Sequence, residues 1–499
     1  MSSGENWRGT TVDVRLGPPG HGGFCVARHE GRVLFVRHGL PGELVRAVVT
    51  EDRGGSFCRA DAVEILEASA DRVPATCPVS GPGGAGCCDF SFATPEAQRA
   101  LKAAVVGEQL RRLADWEPEF VVEEIPALAS YGAAPMRESG RAGTGSDRVP
   151  GAPGSGPGPR RAGLGVGGVA RGVGFAVRGI GEIAGGMGDI EPLAHSGGWR
   201  SRVRLVVDAQ GRAGVHKYRG TEVIADLRCP QPMAGAMAGI AEREWTPGAD
   251  LVVAVDGDGV RHIVELAPPE EDRGARGGDR RRDRRGGGDR RSTAARRAAA
   301  HSVRDERVVE GSGRAVQYVS GRRWELSATG FWQPHFGAAQ CYSDVVGEWA
   351  DATAGALAWD LYCGVGVFAA RLAERVGAGG AVHGVEFSRT AVSEGQAALR
   401  DLGAVELRAE RVERWIVEQP STAPDVVVLD PPRAGAGKDV INALAERGPR
   451  RTVHIGCDPA AFARDVGLYR SAGYRPVGLR VFDAFPATHH VECIAVLER

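Results

Sequence analysis

The sequence predicts an α/β protein, with a doubly wound sheet at the carboxyl end, a small β-barrel at the amino end and an α+β region between them. Three observations predict it. From about residue 326 the chain repeats an apolar strand-like run, a turn rich in Gly, Pro or Asp, and a helical pattern. The first segment alternates apolar and polar residues between Gly/Pro punctuation, as short strands of a small all-β barrel do. A length of 499 residues is enough for two to four domains.

In chain order, residues 5–68 form the predicted barrel, carried by "TTVDVRLGPPGHGGFCVARHEGRVLFVRHGLPGELVRAVVTED". A barrel of this size often binds oligonucleotides, although the strand pattern alone does not say so. Residues 69–325 follow as a central domain. It opens with the cysteine-bearing "ATCPVSGPGGAGCCDFSFATPEAQRALKAAVVGEQLRRLA", which runs into an amphipathic helix. A Gly/Pro/Ser-rich excursion near 136–172 is expected to be disordered. "GWRSRVRLVVDAQGRAGVHKYRG" then reads as a strand pair around a glycine turn. A second excursion near 268–300 mixes Arg, Gly and Asp, as a solvated linker or an RNA-binding tail would. Residues 326–499 form the doubly wound sheet, whose ligands bind at the carboxyl ends of the strands.

Formal net charge is −1, so overall charge announces no polyanion, and any RNA contact must come from a local basic surface. The basic residues are almost all arginine, with lysine only at Lys102, Lys217 and Lys438; arginine suits phosphate forks and base stacking. No apolar h-region opens the chain and no apolar run approaches membrane-spanning length. The expectation is a cytoplasmic protein with no membrane partner. Its ten cysteines then sit in a reducing compartment, where reactive or metal-binding roles outrank disulfides.

Five stretches carry chemistry. In "DLYCGVG", Gly364 and Gly366 would let the backbone approach a ligand, and about twenty residues later "VHGVE" ends a strand in Glu386, placed to accept both hydroxyls of a ribose. The third glycine of a dinucleotide fingerprint is replaced by Ala369, which favours S-adenosylmethionine over a dinucleotide. "VVVLDPPRAG" ends a fourth strand in Asp430, and two prolines make a rigid exit toward Arg433, or a structural turn. In "RTVHIGCDPAAFARDVG", Cys457 precedes Asp458 and Pro459, a good N-cap and a good first helical residue. There the helix dipole favours a thiolate; the alternative is a small residue packed at a tight turn. In "HHVECIAVLE", Glu492 shares a strand face with Ile494 and Val496. Apolar neighbours would raise its pKa toward that of a base near neutrality, unless it is a solvated turn-end glutamate.

Together these stretches resemble the RNA uracil-5-methyltransferases, the S-adenosylmethionine-dependent family that makes 5-methyluridine in transfer and ribosomal RNA. The resemblance covers nearly the whole chain apart from the two excursions. The opening stretch resembles a TRAM domain, an RNA-binding barrel. The resemblance implies a Rossmann-like methyltransferase sheet and places Gln333 of "GFWQPHFGAAQ", Tyr362, Glu386 and Asp430 at cofactor-binding positions. It makes Cys457 the nucleophile and Glu492 the base. Cys457 would add to carbon 6 of the uracil, carbon 5 would take the methyl group, and Glu492 would remove the carbon 5 proton. The partner is RNA, ribosomal or transfer, and a monomer is expected. Many members also hold a four-iron cluster, for which this chain offers Cys77, Cys87, Cys88 and Cys229. Ala85 stands where an earlier cysteine is expected, so a 4Fe-4S cluster, a zinc site of the same thiols and a degenerate site all remain open. Two other functions use the same features: RNA cytosine-5 methylation, and a non-catalytic RNA-binding or ribosome-assembly role.

Overall fold

The computed structural model describes residues 6–126, 198–269, 304–419 and 423–499. The excursions expected near 136–172 and 268–300 lie outside the described residues, but for Pro268 and Pro269.

The amino-terminal strands β1 (Thr11–Arg15), β2 (Pro19–Gly20), β3 (Phe24–His29), β4 (Arg32–Arg37), β5 (Leu44–Asp52) and β6 (Phe57–Glu67) form one six-stranded sheet, in the order β1-β5-β6-β4-β3-β2. Their alternating residues fill one core, with Val12, Val14, Leu34, Val36, Val45 and Ala47 all buried. The other side chains of β1 and β5 face water, as the alternation in sequence requires.

Helix α1 (Pro95–Ala114) has a sequence-encoded start: Thr94 accepts from Ala97 N at 3.3 Å and Pro95 takes the first turn. It ends at Asp115, which adopts a left-handed conformation. The chain then adds the short strand β7 (Val122–Glu124).

In the middle region β8 (Arg202–Val207), β9 (Ala213–His216), β10 (Val223–Ile224), β11 (Asp250–Val255), β12 (Arg261–Leu266) and β13 (Glu306–Glu310) make a second sheet, in the order β10-β9-β8-β11-β12-β13. A hairpin of β14 (Arg314–Val319) and β15 (Arg322–Ser327) leads to helix α2 (Ala338–Trp349).

From there strand and helix alternate: β16 (Leu357–Leu361), α3 (Val367–Val376), β17 (Ala381–Glu386), α4 (Arg389–Ala398), β18 (Val405–Ala409), α5 (Val412–Glu418), β19 (Val426–Leu429), α6 (Gly437–Arg447), β20 (Arg451–Gly456) and α7 (Pro459–Ser471). A closing pair, β21 (Arg475–Asp483) and β22 (Glu492–Glu498), completes the chain. The sheet order is β18-β17-β16-β19-β20-β22-β21-β7, with the first five strands parallel and β22 antiparallel to both neighbours. This is the doubly wound sheet that the sequence predicts. Buried strands such as β19, with all four residues inside, read as continuous Val/Leu runs because helices cover both faces.

One arrangement departs from reading order. Strand β7, from the first quarter of the chain, pairs in parallel with β21, and α1 packs with α7 around Val106, Leu110, Phe462, Val466 and Tyr469. The segment before the first excursion therefore belongs structurally with the carboxyl-terminal sheet. The apolar face of α1 requires a partner, and α7 supplies one.

Candidate active site

Four of the residues singled out in the sequence follow strands at one edge of the large sheet: Tyr362 after β16, Glu386 at the end of β17, Asp430 after β19 and Cys457 after β20. Strand β16 lies between β17 and β19, where the strand order reverses, and open α/β sheets bind ligands at such points.

The turn after β16 is built for close approach. Tyr362 has φ +61°, Gly364 +54° and Gly366 +79°. A Cβ on Gly366 would meet Leu399 at 2.8 Å, so that glycine serves packing; a Cβ on Gly364 would meet nothing within 4 Å, so that glycine borders open space. Glu386 stands beside it, accepting from Gly364 N at 3.3 Å and from Ser388 N at 2.8 Å. Beneath the turn Asp360 is fully buried. One oxygen accepts from Ala369 N at 2.7 Å and the other has no partner. Burial, with Asp430 and Glu386 adding to it, pushes its pKa well above the carboxylate range. The Tyr362 side chain goes elsewhere. It packs against the cluster of Trp359, Trp415, Val440 and Leu444 and bonds to Glu413. What Tyr362 offers the crevice is its backbone.

On the other side of β16, Gln333 donates to Asp430 Oδ2 at 3.5 Å. Burial raises the Asp430 pKa to about 7. The cross-strand register sets Gly456 opposite Cys493, so the next residue on each strand, Cys457 and Glu492, is also brought together. Glu492 is 3% exposed and its Oε1 has no partner. Its pKa lies well above the usual value because it is buried and faces Asp430.

Asp458 caps α7, its Oδ1 accepting from Ala460 N at 3.1 Å and Ala461 N at 2.9 Å, with Pro459 in the first turn. The expectation that this helix end favours a thiolate is corrected by the structure. The Cys457 thiol is pushed up to about 12, first by burial and then by Glu492 and Asp430. Burial, with two acids close by, outweighs the partial charge of one helix terminus. Arg433 works against them, hydrogen-bonding the thiol and lowering its pKa. The Arg433 guanidinium is held by the ring of His490 (Nη2 to Nδ1 2.8 Å), which burial keeps neutral, at about 2, and therefore able to accept. The loop bearing Arg433 is held in turn by Asp465 of α7, which accepts from Ala436 N at 2.7 Å and Gly437 N at 3.3 Å.

Sequence reasoning missed several neighbours. Asp360 opens the quoted "DLYCGVG" and was visible as a buried acid at a strand end. Phe331 (74% exposed) and Phe387 (67% exposed) flank Gln333 and Glu386, and an aromatic beside a candidate ligand was a readable signal. His21, Asp89, His489 and His490 had none, because their partners are far away in the chain.

The four thiols expected to hold metal do come together. Cys77, Cys88 and Cys229 interact mutually, Cys87 interacts with Cys88, and Gln231 Nε2 donates to Cys88 Sγ at 3.2 Å. They converge on one another, however. No group of three or more His, Cys, Asp or Glu among the described residues is arranged to hold a metal ion. Four converging thiols have the donor chemistry of a thiophilic centre, and metal analysis of the protein decides between a cluster, a zinc ion and packed thiols at Cys77, Cys87, Cys88 and Cys229.

Comparison with known proteins sets this geometry in context. Residues 6–63 match the family model of the TRAM domain, and residues 319–499 match that of tRNA (uracil-5-)-methyltransferase. An uncharacterized RNA methyltransferase of Streptomyces avermitilis is 37% identical over 493 residues, covering 98% of either chain. One of Corynebacterium glutamicum is 33% identical over 504 residues, covering 99% of this chain and 98% of that one. Among solved structures, a tRNA (uracil-54, C5)-methyltransferase of Pyrococcus abyssi, in complex with S-adenosyl-L-homocysteine, superposes with a TM-score of 0.59. It covers 97% of this chain and 100% of its own at 16% identity, which is a likeness of fold.

Proposed function

The chain belongs to the TRAM-bearing RNA (uracil-5-)-methyltransferase family, is an S-adenosylmethionine-dependent RNA methyltransferase, and on that premise we propose that it methylates carbon 5 of a uridine through a covalent bond to Cys457. The observation that carries the proposal is the convergence of Cys457, Glu492, Asp430 and Arg433, from three separate stretches, on one edge of the sheet.

The cofactor, when bound, supplies an electrophilic methyl group. The residues fit it. Gly364 borders open space, Glu386 is placed for the ribose hydroxyls, Asp360 keeps an unpartnered oxygen under the same turn, and Gln333 and Asp430 close the other side. In the first step the Cys457 sulfur bonds to carbon 6, and the ring's C5–C6 electron pair moves toward oxygen 4. The thiol proton passes to a buried carboxylate, for which Asp430, at about 7, is matched to neutral pH. Arg433, within reach of the sulfur, stabilises the negative charge of that step. Once carbon 5 carries its methyl group, Glu492 takes the carbon 5 proton, the S–C6 bond breaks, and the C5–C6 double bond returns. A carboxylate with a raised pKa is suited to that task. The target base must leave its stack to reach Cys457, and Phe331, standing exposed two residues before Gln333, offers it a stacking surface. A cleft of ≈ 700 Å³ between barrel and middle region, where Arg8, Arg53, Lys217 and Arg219 outnumber Glu51, Asp52 and Asp61, is a further surface for RNA.

The test uses ribosomal and transfer RNA transcribed with 5-fluorouridine, whose carbon 5 has no proton to lose after methylation. The expected outcome is a protein–RNA adduct that survives denaturation and is absent in Cys457→Ala. An adduct of undiminished yield in the alanine variant defeats the proposal. Mapping 5-methyluridine in both RNA classes from a deletion strain then decides between ribosomal and transfer RNA.

A further inference from the structure

The loop between β2 and β3 reaches across to the catalytic helix. His21 Nε2 lies 3.0 Å from Asp458 Oδ2, although 437 residues separate the two in sequence. Asp458 thus has two attachments: its Oδ1 caps α7 and its Oδ2 is held by the barrel. Both side chains are partly buried, 39% and 29% exposed. Against burial, the His21 bond and the two cap bonds together hold the Asp458 pKa down at about 2, and the same contact raises that of His21. The loop is seated as well as bonded. Gly23, at φ +79°, lies so close to Asp89 and His489 that a Cβ would stand 3.2 and 3.3 Å from theirs. Asp89 bridges Arg37 of the barrel to His489, next to the His490 that holds Arg433.

Cys457 sits between two anchored residues. Gly456 before it is paired with β22, and Asp458 after it is held by the cap and by His21. From this geometry we propose that His21 is a positioning residue for the nucleophile, acting through Asp458, so that the barrel forms part of the wall of the active site besides gripping RNA. The proposal rests on the reading of Cys457 as the nucleophile. Loss of His21 leaves the cap bonds of Asp458 in place, so the fold survives. What changes is how tightly the backbone of Cys457 is placed, and covalent attack is steeply sensitive to small displacements.

The experiment uses the full chain with 5-fluorouridine-containing ribosomal and transfer RNA. It reads the rate of adduct formation at saturating RNA, the RNA affinity by filter binding, and the melting temperature. His21→Ala is expected to slow adduct formation on the order of tenfold, with affinity and melting temperature unchanged. His21→Gln, which restores a donor, is expected to recover most of the rate. Asp458→Ser keeps a good N-cap but has no second oxygen for His21, and is expected to slow the reaction similarly. The double variant His21→Ala/Asp458→Ser is then no slower than the slower single one. The inference is overturned if His21→Ala reacts at the wild-type rate, if it loses RNA affinity instead of rate, or if the double variant shows the product of both losses. Adduct formation by Cys457→Ala would instead overturn the underlying reading, so the two failures are distinguishable.

Discussion

At the scale of single residues, the active site holds its acids with one cation among them. Burial raises the pKa of Asp430, Glu492 and Cys457; Asp430 adds to the rise at Glu492, both acids add to it at Cys457, and Arg433 opposes it at Glu492 and Cys457. Cys457, the proposed nucleophile, therefore rests as a thiol. Alkylation of Cys457 by iodoacetamide should climb steadily from pH 7 to beyond about pH 9, without levelling where an ordinary cysteine, of pKa about 8.5, does. The sign follows from a folded pKa raised above the free value, since at every pH below it less thiolate is present. Arg433→Gln should slow alkylation further, because the group that lowers the pKa is gone. A mass-spectrometric pH series on the Cys457 peptide reads both, and faster alkylation in the variant contradicts the account. The location of Cys457 was legible in the sequence because strand, turn, cap and helix are adjacent there. Its ionisation was not, since Asp430 and Glu492 approach it only in the folded chain.

Among the elements, α7 does the most. Its amino end follows Cys457, Asp465 in its middle holds the Arg433 loop, and its outer face receives α1. The contact with α1 is close at Gly467, where a Cβ would stand 2.4 Å from Leu113 O. In an open helix, Gly→Ala gains about 1 kcal/mol. Here Gly467→Ala should instead destabilise by about 1–3 kcal/mol through overpacking, seen as a lower urea midpoint. A midpoint that rises would show that the helices separate easily. Buried Lys102 of α1, bonded to Asp483 at 2.5 Å and to Phe485 O at 3.1 Å, fixes the same helix to the end of β21, just before the His489–His490 turn. The helices and parallel strands after residue 326 could be read from period and punctuation. Strand β7 could not, because three residues, "VEE", carry too little pattern, and their partner Val481–Asp483 lies some 360 residues on.

For the whole molecule, distant pieces of chain are stitched together at several points. Cys229 of the middle region meets Cys77 and Cys88 from beside the barrel, and Arg219 pairs with Glu51 at 2.7 Å. The thiol group tests its own reading. Were Cys77, Cys87, Cys88 and Cys229 to hold a cluster, anaerobically purified protein should carry about four irons per chain and lose them in Cys88→Ser. Metal-free protein, folded and active, leaves them as packed thiols. The pairing of β7 with β21 bears on how the enzyme is made. An edge strand leaves the ribosome some 360 residues before its neighbour, so this edge of the sheet cannot close until β21 has been made. Until then the apolar face of α1 has nothing to cover it, and a nascent chain in that state is a natural client for chaperones.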